Sequence, residues 1–511
     1  MTADKIIIID FGSQYTKLIA RKVRESHVYC ELVSCYSDLN SLKRDKTLKG
    51  IILSGGPQSV FVKNAPALSK QIIKLNVPIL GICYGLQLLS HHFSGKVRTG
   101  KVREFGKTKI SRCAASKVLQ GIDKHFSAWM SHGDHVDKLP KGFVITSRSE
   151  NGLISSFESV ERKIYGVQFH PEVQHTEHGG KVLKNFLFSI CRIKNKWQMG
   201  SFIKEKISEI RAKVGSEKTL CALSGGVDSA VAAQLVHEAI GKQLICVHID
   251  NGLMRKNESK EVVKLFSKKL NLKFIDASKI FLSRLKNVTE PEQKRKIIGK
   301  TFIDVFQKHA KRFGDIKYLV QGTLYPDVIE SSSFHGPSVT IKTHHNVGGL
   351  PKSLKMKLIE PFRELFKDEV RVIGRILKVP DEILERHPFP GPGLAVRILG
   401  AVTNEKLEVL KEADYIYREL LHKHNLYKKI WQAFCVLLPV STVGVMGDFR
   451  TYEKVLALRA VGSVDGMTAN WFHMPANALE EISTAITNKV KGINRVVYDI
   501  SNKPPSTIEW E

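Results

Sequence analysis

The sequence is sparing with cysteine, with long apolar runs and with acidic charge, and each shortage excludes something. Eight cysteines are scattered over 511 residues, and none forms a CxxC pair. That spacing fits neither a zinc site nor a disulfide framework, so a reduced compartment is the expectation. No apolar run approaches the ~18 residues that span a bilayer. MTADKIIIIDFG passes straight into a strand pattern with no leader-like apolar segment. A cytoplasmic protein is expected, with no membrane partner. Asp plus Glu number 50 against 79 Lys plus Arg, a net charge of +29. Such a balance favours anionic partners, nucleotides or nucleic acid, unless the basic residues merely cover solvated faces. No dense basic tract and no aromatic-rich RNA-binding motif concentrates the charge, which argues for dispersal and against nucleic acid.

What the chain does have is a repeated alternation of short β-branched runs and amphipathic stretches. KIIIID (5–10), GIILSGG (50–56), VPILGIC (77–83) and IYGVQFH (164–170) read as strands. YTKLIARKVRES (15–26) and YGLQLLSHHF (84–93) read as helices between them. This predicts an α/β domain on a mainly parallel sheet. The pattern restarts at TLCALSGG (219–226), followed by the helix SAVAAQLVHEAI and the strand QLICVHIDNG (243–252). CRIKNKWQMGSF (191–202) lacks a strand pattern and marks a boundary. In RHPFPGPGLAVR (386–397), three prolines and two glycines break any regular element. Beyond it the sequence predicts a helix over EKLEVLKEADYIYRELLHKH, a strand over WQAFCVLLP, helical turns around TYEKVLALRAV and β structure in NRVVYDIS. The expected domains are therefore 1–195, 200–385 and 386–511, the last an α+β module.

Two turns carry chemistry. In ILGICYGLQLL, Cys83 stands between Gly81 and Gly85 at a strand-to-helix turn, the arrangement that lifts a nucleophile out of a tight elbow. A helix N-terminus beneath it favours thiolate over thiol. In QFHPE, His170 and Glu172 lie two apart in an extended segment and point to one side, as a general base and its orienting carboxylate would. LSGGPQ (53–58) adds a glycine turn whose N–H groups suit an oxyanion hole. In the order SGGP, GICYG, FHPE, these pieces resemble the class I glutamine amidotransferase family over about the first 190 residues. The resemblance implies that Cys83, His170 and Glu172 release ammonia from glutamine through a thioester. It also implies that the N–H groups of Gly56 and Tyr84 form the oxyanion hole.

The second turn, LCALSGGVDSA, lacks the lysine of a Walker loop. Ser224, Gly225, Gly226, Val227, Asp228 and Ser229 offer hydroxyls, bare backbone and one carboxylate, which suits a pyrophosphate whose Mg²⁺ Asp228 could ligate. The run resembles the PP-loop of ATP pyrophosphatases, of the adenine nucleotide alpha hydrolase type. These enzymes adenylylate a carbonyl oxygen for displacement by a nitrogen or sulfur nucleophile. The loop by itself leaves the substrate open, a tRNA-modifying enzyme included. HIDNGLMR (248–255), EQKRKIIG (292–299), QGTLYPDVIES (321–331), IKTHHNVGGLP (341–351), LFKDEVR (365–371), RHPFPGPGLAVR and SNKPPSTIEWE (501–511) resemble the glutamine-hydrolysing GMP synthetase family. That resemblance implies ATP, XMP and glutamine as substrates, with Mg²⁺ accompanying ATP. It implies XMP contacts from Arg255, Lys503 and Glu509, and a homodimer formed by the C-terminal module. Two positions depart from the family pattern: Ser441 stands where an Arg is expected, and Phe449 where a Gly is expected.

Overall fold

The structure is a computed structural model that describes residues 3–63, 65–332, 356–446, 448–463, 466 and 468–511. The IKTHHNVGGLP motif lies outside the described residues. Contacts divide the chain into two units, one reaching Ser201 and the other beginning at Phe202. The helix Tyr325–Ser332 belongs with the first unit, where the Tyr325 hydroxyl accepts a hydrogen bond from the Leu32 backbone.

The first unit is built on a nine-stranded sheet. Its strands are β1 (Lys5–Asp10), β2 (Tyr29–Ser34), β3 (Leu48–Leu53), β4 (Ile79–Ile82), β5 (Lys96–Arg112), β6 (His125–Lys138), β7 (Val144–Ser149), β8 (Ile154–Ser159) and β9 (Ile164–Val167). They are ordered β2-β1-β3-β4-β9-β8-β7-β5-β6. From β2 to β9 every pairing is parallel, and from β9 to β6 every pairing is antiparallel. The expected parallel sheet is thus half of the whole. Ile6 to Ile9 are fully buried, as a strand covered on both faces requires. The antiparallel half has polar and charged residues interleaved along β5 and β6, which weakens the apolar signal in the sequence.

The second unit contains two sheets. The first is parallel: β10 (Thr219–Ala222), β11 (Leu244–Asp250), β12 (Asn271–Asp276), β13 (Tyr318–Val320) and β14 (Lys357–Ile359), in the order β12-β11-β10-β13-β14. The second joins β15 (Gln432–Met446), β16 (Phe449–Gly462), β17 (Asn470–Trp471) and β18 (Ile493–Asp499), with the helix Asn404–Lys423 packed on β15. One apolar core runs from Leu220 and Val247 under the parallel sheet to Leu456 and Ile493 in the other.

The helical turns expected around TYEKVLALRAV are absent: those residues lie inside β16. Glu, Lys, Leu and Ala are good helix formers, but β16 pairs with β15 on one side and with β17 and β18 on the other. Central pairing overrides local propensity.

The tail after β18 is fixed by buried cations. Arg459 donates to the carbonyls of Ser501 and Thr507 and lies 3.3 Å from Asp499. Lys294 donates to Ala395 O, Ile398 O and the Glu511 carboxylate, and Ile508 packs against Phe434 and Val461. Replacing Arg459 with Met removes the charge and leaves these partners behind, an expected loss of about 3 kcal/mol. A lower urea midpoint, with earlier proteolytic cleavage after Asp499, checks this.

Candidate active sites

In the first unit β4 ends at Ile82 and the helix Tyr84–His92 starts at once, leaving Cys83 as the whole turn. Its φ is 52°, a conformation a side chain-bearing residue holds only when its surroundings enforce it. Space dictates both flanking glycines. A Cβ on Gly81 would lie 2.6 Å from the Gly85 backbone, and one on Gly85 would lie 2.5 Å from Leu53 O. Strand and helix meet through bare backbone, and Gly85 N donates to Ser54 O to fix the contact.

Around the buried thiol, Gln168 Nε2 stands 3.6 Å from Sγ and Ser131 O stands 3.8 Å away. His170 Nδ1 and Glu172 Oε1 are 2.7 Å apart and both residues are buried. His170 N donates to Trp129 O, and Thr176 Oγ1 donates to His170 O, so the backbone under the imidazole is held from two directions. Tyr15 packs edge-on against the ring at 4.9 Å. Burial alone would disfavour the imidazolium. The Glu172 carboxylate and the Cys83 sulfur, which also hydrogen-bonds the ring, outweigh it and hold His170 well above the usual histidine value.

The SGG turn adjoins the same site. A Cβ on Gly55 would come 3.3 Å from His170 Cε1, and one on Gly56 would come 3.1 Å from the Tyr84 ring. The structure therefore brings Cys83, His170, Glu172, Gly56 and Tyr84 together. Gln87 and Gln168, which the sequence reading passed over, complete the lining: Gln87 Nε2 donates to Asp134 O and faces Gln168. Gln87 shares the helix that follows Cys83, and Gln168 opens QFHPE, so both stood inside quoted motifs.

In the second unit the PP-loop joins β10 to the helix Val227–Ile240. Gly225 has φ 83°, and a Cβ there would sit 2.6 Å from Val262. Ser224 and Ser229 hydroxyls lie 2.9 Å apart, and Gly226 N points to Ser224 Oγ. Asp228 Oδ2 lies 3.3 Å from Lys367 Nζ, while Oδ1 is buried without a partner. Lys367 thus places a cation on the loop's one carboxylate. It comes from LFKDEVR, 139 residues further on, a distance that spacing within the loop could not reveal.

Near the PP-loop segment lies a cluster of buried charges. Arg255 and Arg397 both stack on Phe389, with guanidinium carbons 4.4 Å and 5.1 Å from the ring centre. Arg397 grips Glu509 through two hydrogen bonds of 3.1 Å and 2.9 Å, and Gln432 donates to the same carboxylate at 2.7 Å. Arg255 approaches Asp414, which Arg418 also binds. Burial would raise Asp414, yet Arg255, Arg418 and Arg397 keep it below the ordinary carboxylate range. Arg255 Nε and Nη2, Arg397 Nη1 and Asp414 Oδ1 are buried with no hydrogen-bond partner among the described residues. Such orphaned groups suit a polar ligand. Arg255 and Glu509 thus share one neighbourhood, whereas Lys503 Nζ is bonded to Gly466 O. His387 pins the HPFPGPG loop: burial pushes it down to about 4, and its neutral ring accepts from Ala433 N and donates to Tyr427 O.

Family models match three stretches: the class-I glutamine amidotransferase over residues 7–190, NAD synthase over 198–301 and the GMP synthase C-terminal domain over 419–510. Fold and sites define the class, a glutamine amidotransferase joined to an ATP-using PP-loop domain. Curated relatives align along their whole length. The GMP synthase (glutamine-hydrolysing) of Aquifex aeolicus is 55% identical over 507 residues, 99% of each chain. Those of Caldanaerobacter subterraneus subsp. tengcongensis and Clostridium kluyveri are 54% and 52% identical, covering 99% and 100% of each chain. The chain belongs to the glutamine-hydrolysing GMP synthase family. Among solved structures, a glutamine amidotransferase from Thermotoga maritima aligns at 21% identity over 37% of this chain and 83% of its own, with a TM-score of 0.29.

Glu172→Gln is expected to lower glutamine hydrolysis by on the order of 10²–10⁴. The His170 interaction contributes stability fully below about pH 6.5, and that contribution fades as pH rises through the raised value. The variant's stability deficit should therefore shrink toward alkaline pH, as urea titrations at a series of pH values would show.

Proposed function

We propose that this chain makes GMP from XMP, ATP and glutamine through two separate sites. The observation carrying the reading is the coexistence of a buried Cys83–His170–Glu172 constellation with a PP-loop flanked by an orphan-rich cationic cluster. Cys83 sulfur attacks the glutamine amide carbon, and the oxyanion forms against the N–H groups of Gly56 and Tyr84. His170, held protonated by Glu172, delivers a proton to the departing nitrogen, so ammonia leaves and a thioester remains. Water then attacks the thioester and frees glutamate, with His170 taking up the proton.

At the second site the XMP C2 oxygen attacks the α-phosphorus of ATP and pyrophosphate departs. Ser224, Gly225, Gly226, Val227, Asp228 and Ser229 hold the departing pyrophosphate by backbone N–H groups and hydroxyls. Ammonia adds at C2 and AMP leaves, giving GMP. A purine carbonyl oxygen is a poor leaving group and AMP a good one, which is why the adenylyl transfer comes first. Arg255 and Glu509 contact XMP in this reading, and Lys503 contacts it after exchanging its bond to Gly466 O. The unpartnered Asp228 Oδ1 suits one oxygen contact to Mg²⁺. No group of three or more potential ligands occurs among the described residues, so the ion would be carried largely by ATP phosphates. Mg²⁺ supplies charge neutralisation on those phosphates when bound.

Cys83→Ala is expected to abolish GMP formation from glutamine and to leave formation from added ammonia within about twofold, since its defect lies in nitrogen release alone. Loss of both, with an unchanged fold, rejects two separable sites. AMP and pyrophosphate release that requires tRNA instead of XMP would favour the nucleic-acid alternative.

The working assembly is a homodimer, in a cytoplasmic setting, through the outer face of the β15–β16 hairpin. Val443, Val445 and Tyr452 lie exposed there in register, beside Arg450 and Ser441. Ser441 accepts from Lys454 where the family pattern has Arg, so the departure falls on this face. Phe449 sits at the hairpin end, 78% exposed. Val445→Asp should turn a dimer into a monomer at micromolar concentration, read by sedimentation.

A further inference from the structure

Arg386 stands outside the loop, the triad and the XMP contacts, yet it reaches into the PP-loop. Its Nη1 donates to Gly225 O at 3.1 Å and to Glu258 Oε1 at 3.2 Å, and its Nη2 donates to Glu261 Oε2 at 3.2 Å. Its side chain is largely buried, so the contact to the loop is a desolvated, charge-assisted one. The two carboxylates belong to the first turn of the helix Glu258–Phe266, and Glu258 also accepts from Arg255 N. Those bonds fix where the guanidinium can point.

A peptide unit is planar and trans, so its C=O and N–H point in opposite directions. Gly225 O and Gly226 N belong to one such unit. With its oxygen drawn toward Arg386, the Gly226 N–H must face the other way, and it does: it points at Ser224 Oγ inside the loop. Gly225, at φ 83°, lacks the side-chain restraint that would otherwise set this orientation. Glycine gives the loop access to the required conformation and equally to others. Something must select one.

The geometry points to Arg386 as a positioning residue that locks the Gly225–Gly226 peptide with its N–H facing into the loop, on the Ser224 Oγ side, where the pyrophosphate of ATP takes it up. The role rests on the reading that this loop holds pyrophosphate. A freely flipping peptide would present a carbonyl oxygen to an anion in part of the population, and binding of the phosphates would weaken accordingly.

The test uses the full chain with ammonia as nitrogen source, reading the KM for ATP, the KM for XMP and inhibition by inorganic pyrophosphate. Arg386→Met should raise the ATP KM and the pyrophosphate inhibition constant in parallel, about tenfold, while the XMP KM stays within about twofold. Arg386→Lys keeps a charge but reaches fewer acceptors, so it should recover part of the loss, which also covers a Met variant that fails to fold. Glu261→Gln, which removes only the outer anchor, should leave the ATP KM within about twofold. An unchanged ATP KM in both Arg386 variants overturns the role, as does an equal rise in both nucleotide KM values. Asp228→Asn serves as the separate control. If it leaves the ATP KM and pyrophosphate inhibition untouched, the pyrophosphate reading of the loop itself fails; if it raises them and Arg386 does not, only the positioning role fails.

Discussion

A sharp reversal of the backbone at the carboxyl end of a parallel strand is the constraint on which both sites depend. At Cys83 the reversal forces positive φ on a residue with a side chain, and the structure tolerates it because Gly81 and Gly85 let strand and helix touch. At Gly225 the reversal falls on glycine itself, and the chain following it starts a helix at Val227. One turn holds a sulfur at its apex, within the buried site. The other turns backbone N–H groups inward, toward the loop's own serine hydroxyls. The same local geometry presents a thiol in one unit and bare backbone in the other, depending on whether its apex bears a side chain.

Charge is handled differently in the two units. Around Cys83 one carboxylate, Glu172, and the Cys83 sulfur together hold His170 up against the opposing effect of burial. In the second unit the buried cations outnumber what any one carboxylate could balance, and they are shared: Arg397 between Glu509 and two aromatic rings, Asp414 between Arg255 and Arg418. Breaking such a buried arrangement costs more than forming it gains, so each member depends on the rest. The unpartnered polar atoms left in it are where the arrangement is unfinished by protein alone.

Legibility in the sequence followed the range of the interactions. The elbow at Cys83, the His170–Glu172 pair and the SGGVDS loop are each contained in a few consecutive residues, and their types alone constrain the chemistry. Strands buried on both faces, such as KIIIID, announce themselves by continuous apolar residues. Lys367, Arg386, Arg397 and Gln432 act on partners far away in the chain; the first three lie inside quoted motifs, but local residue types say nothing of what they bind. The mistaken helical reading of TYEKVLALRAV has the same origin: its local composition favours one state, and three neighbouring strands impose another. The antiparallel half of the first sheet escaped notice because charged residues punctuate β5 and β6 where an apolar rhythm would show.

The tail anchored by Arg459, Arg397 and Lys294 also sets an order in time. During synthesis the ribosome delivers Cys83, His170 and Glu172 early, and it delivers Glu509 only after both sheets of the second unit have emerged. Until then Arg397 lacks its carboxylate, while Arg255 already has Asp414 and Arg386 already has Glu258. Packing of the tail is therefore the step that gives Arg397 and Gln432 their shared carboxylate, and the buried cluster is complete only with the tail in place.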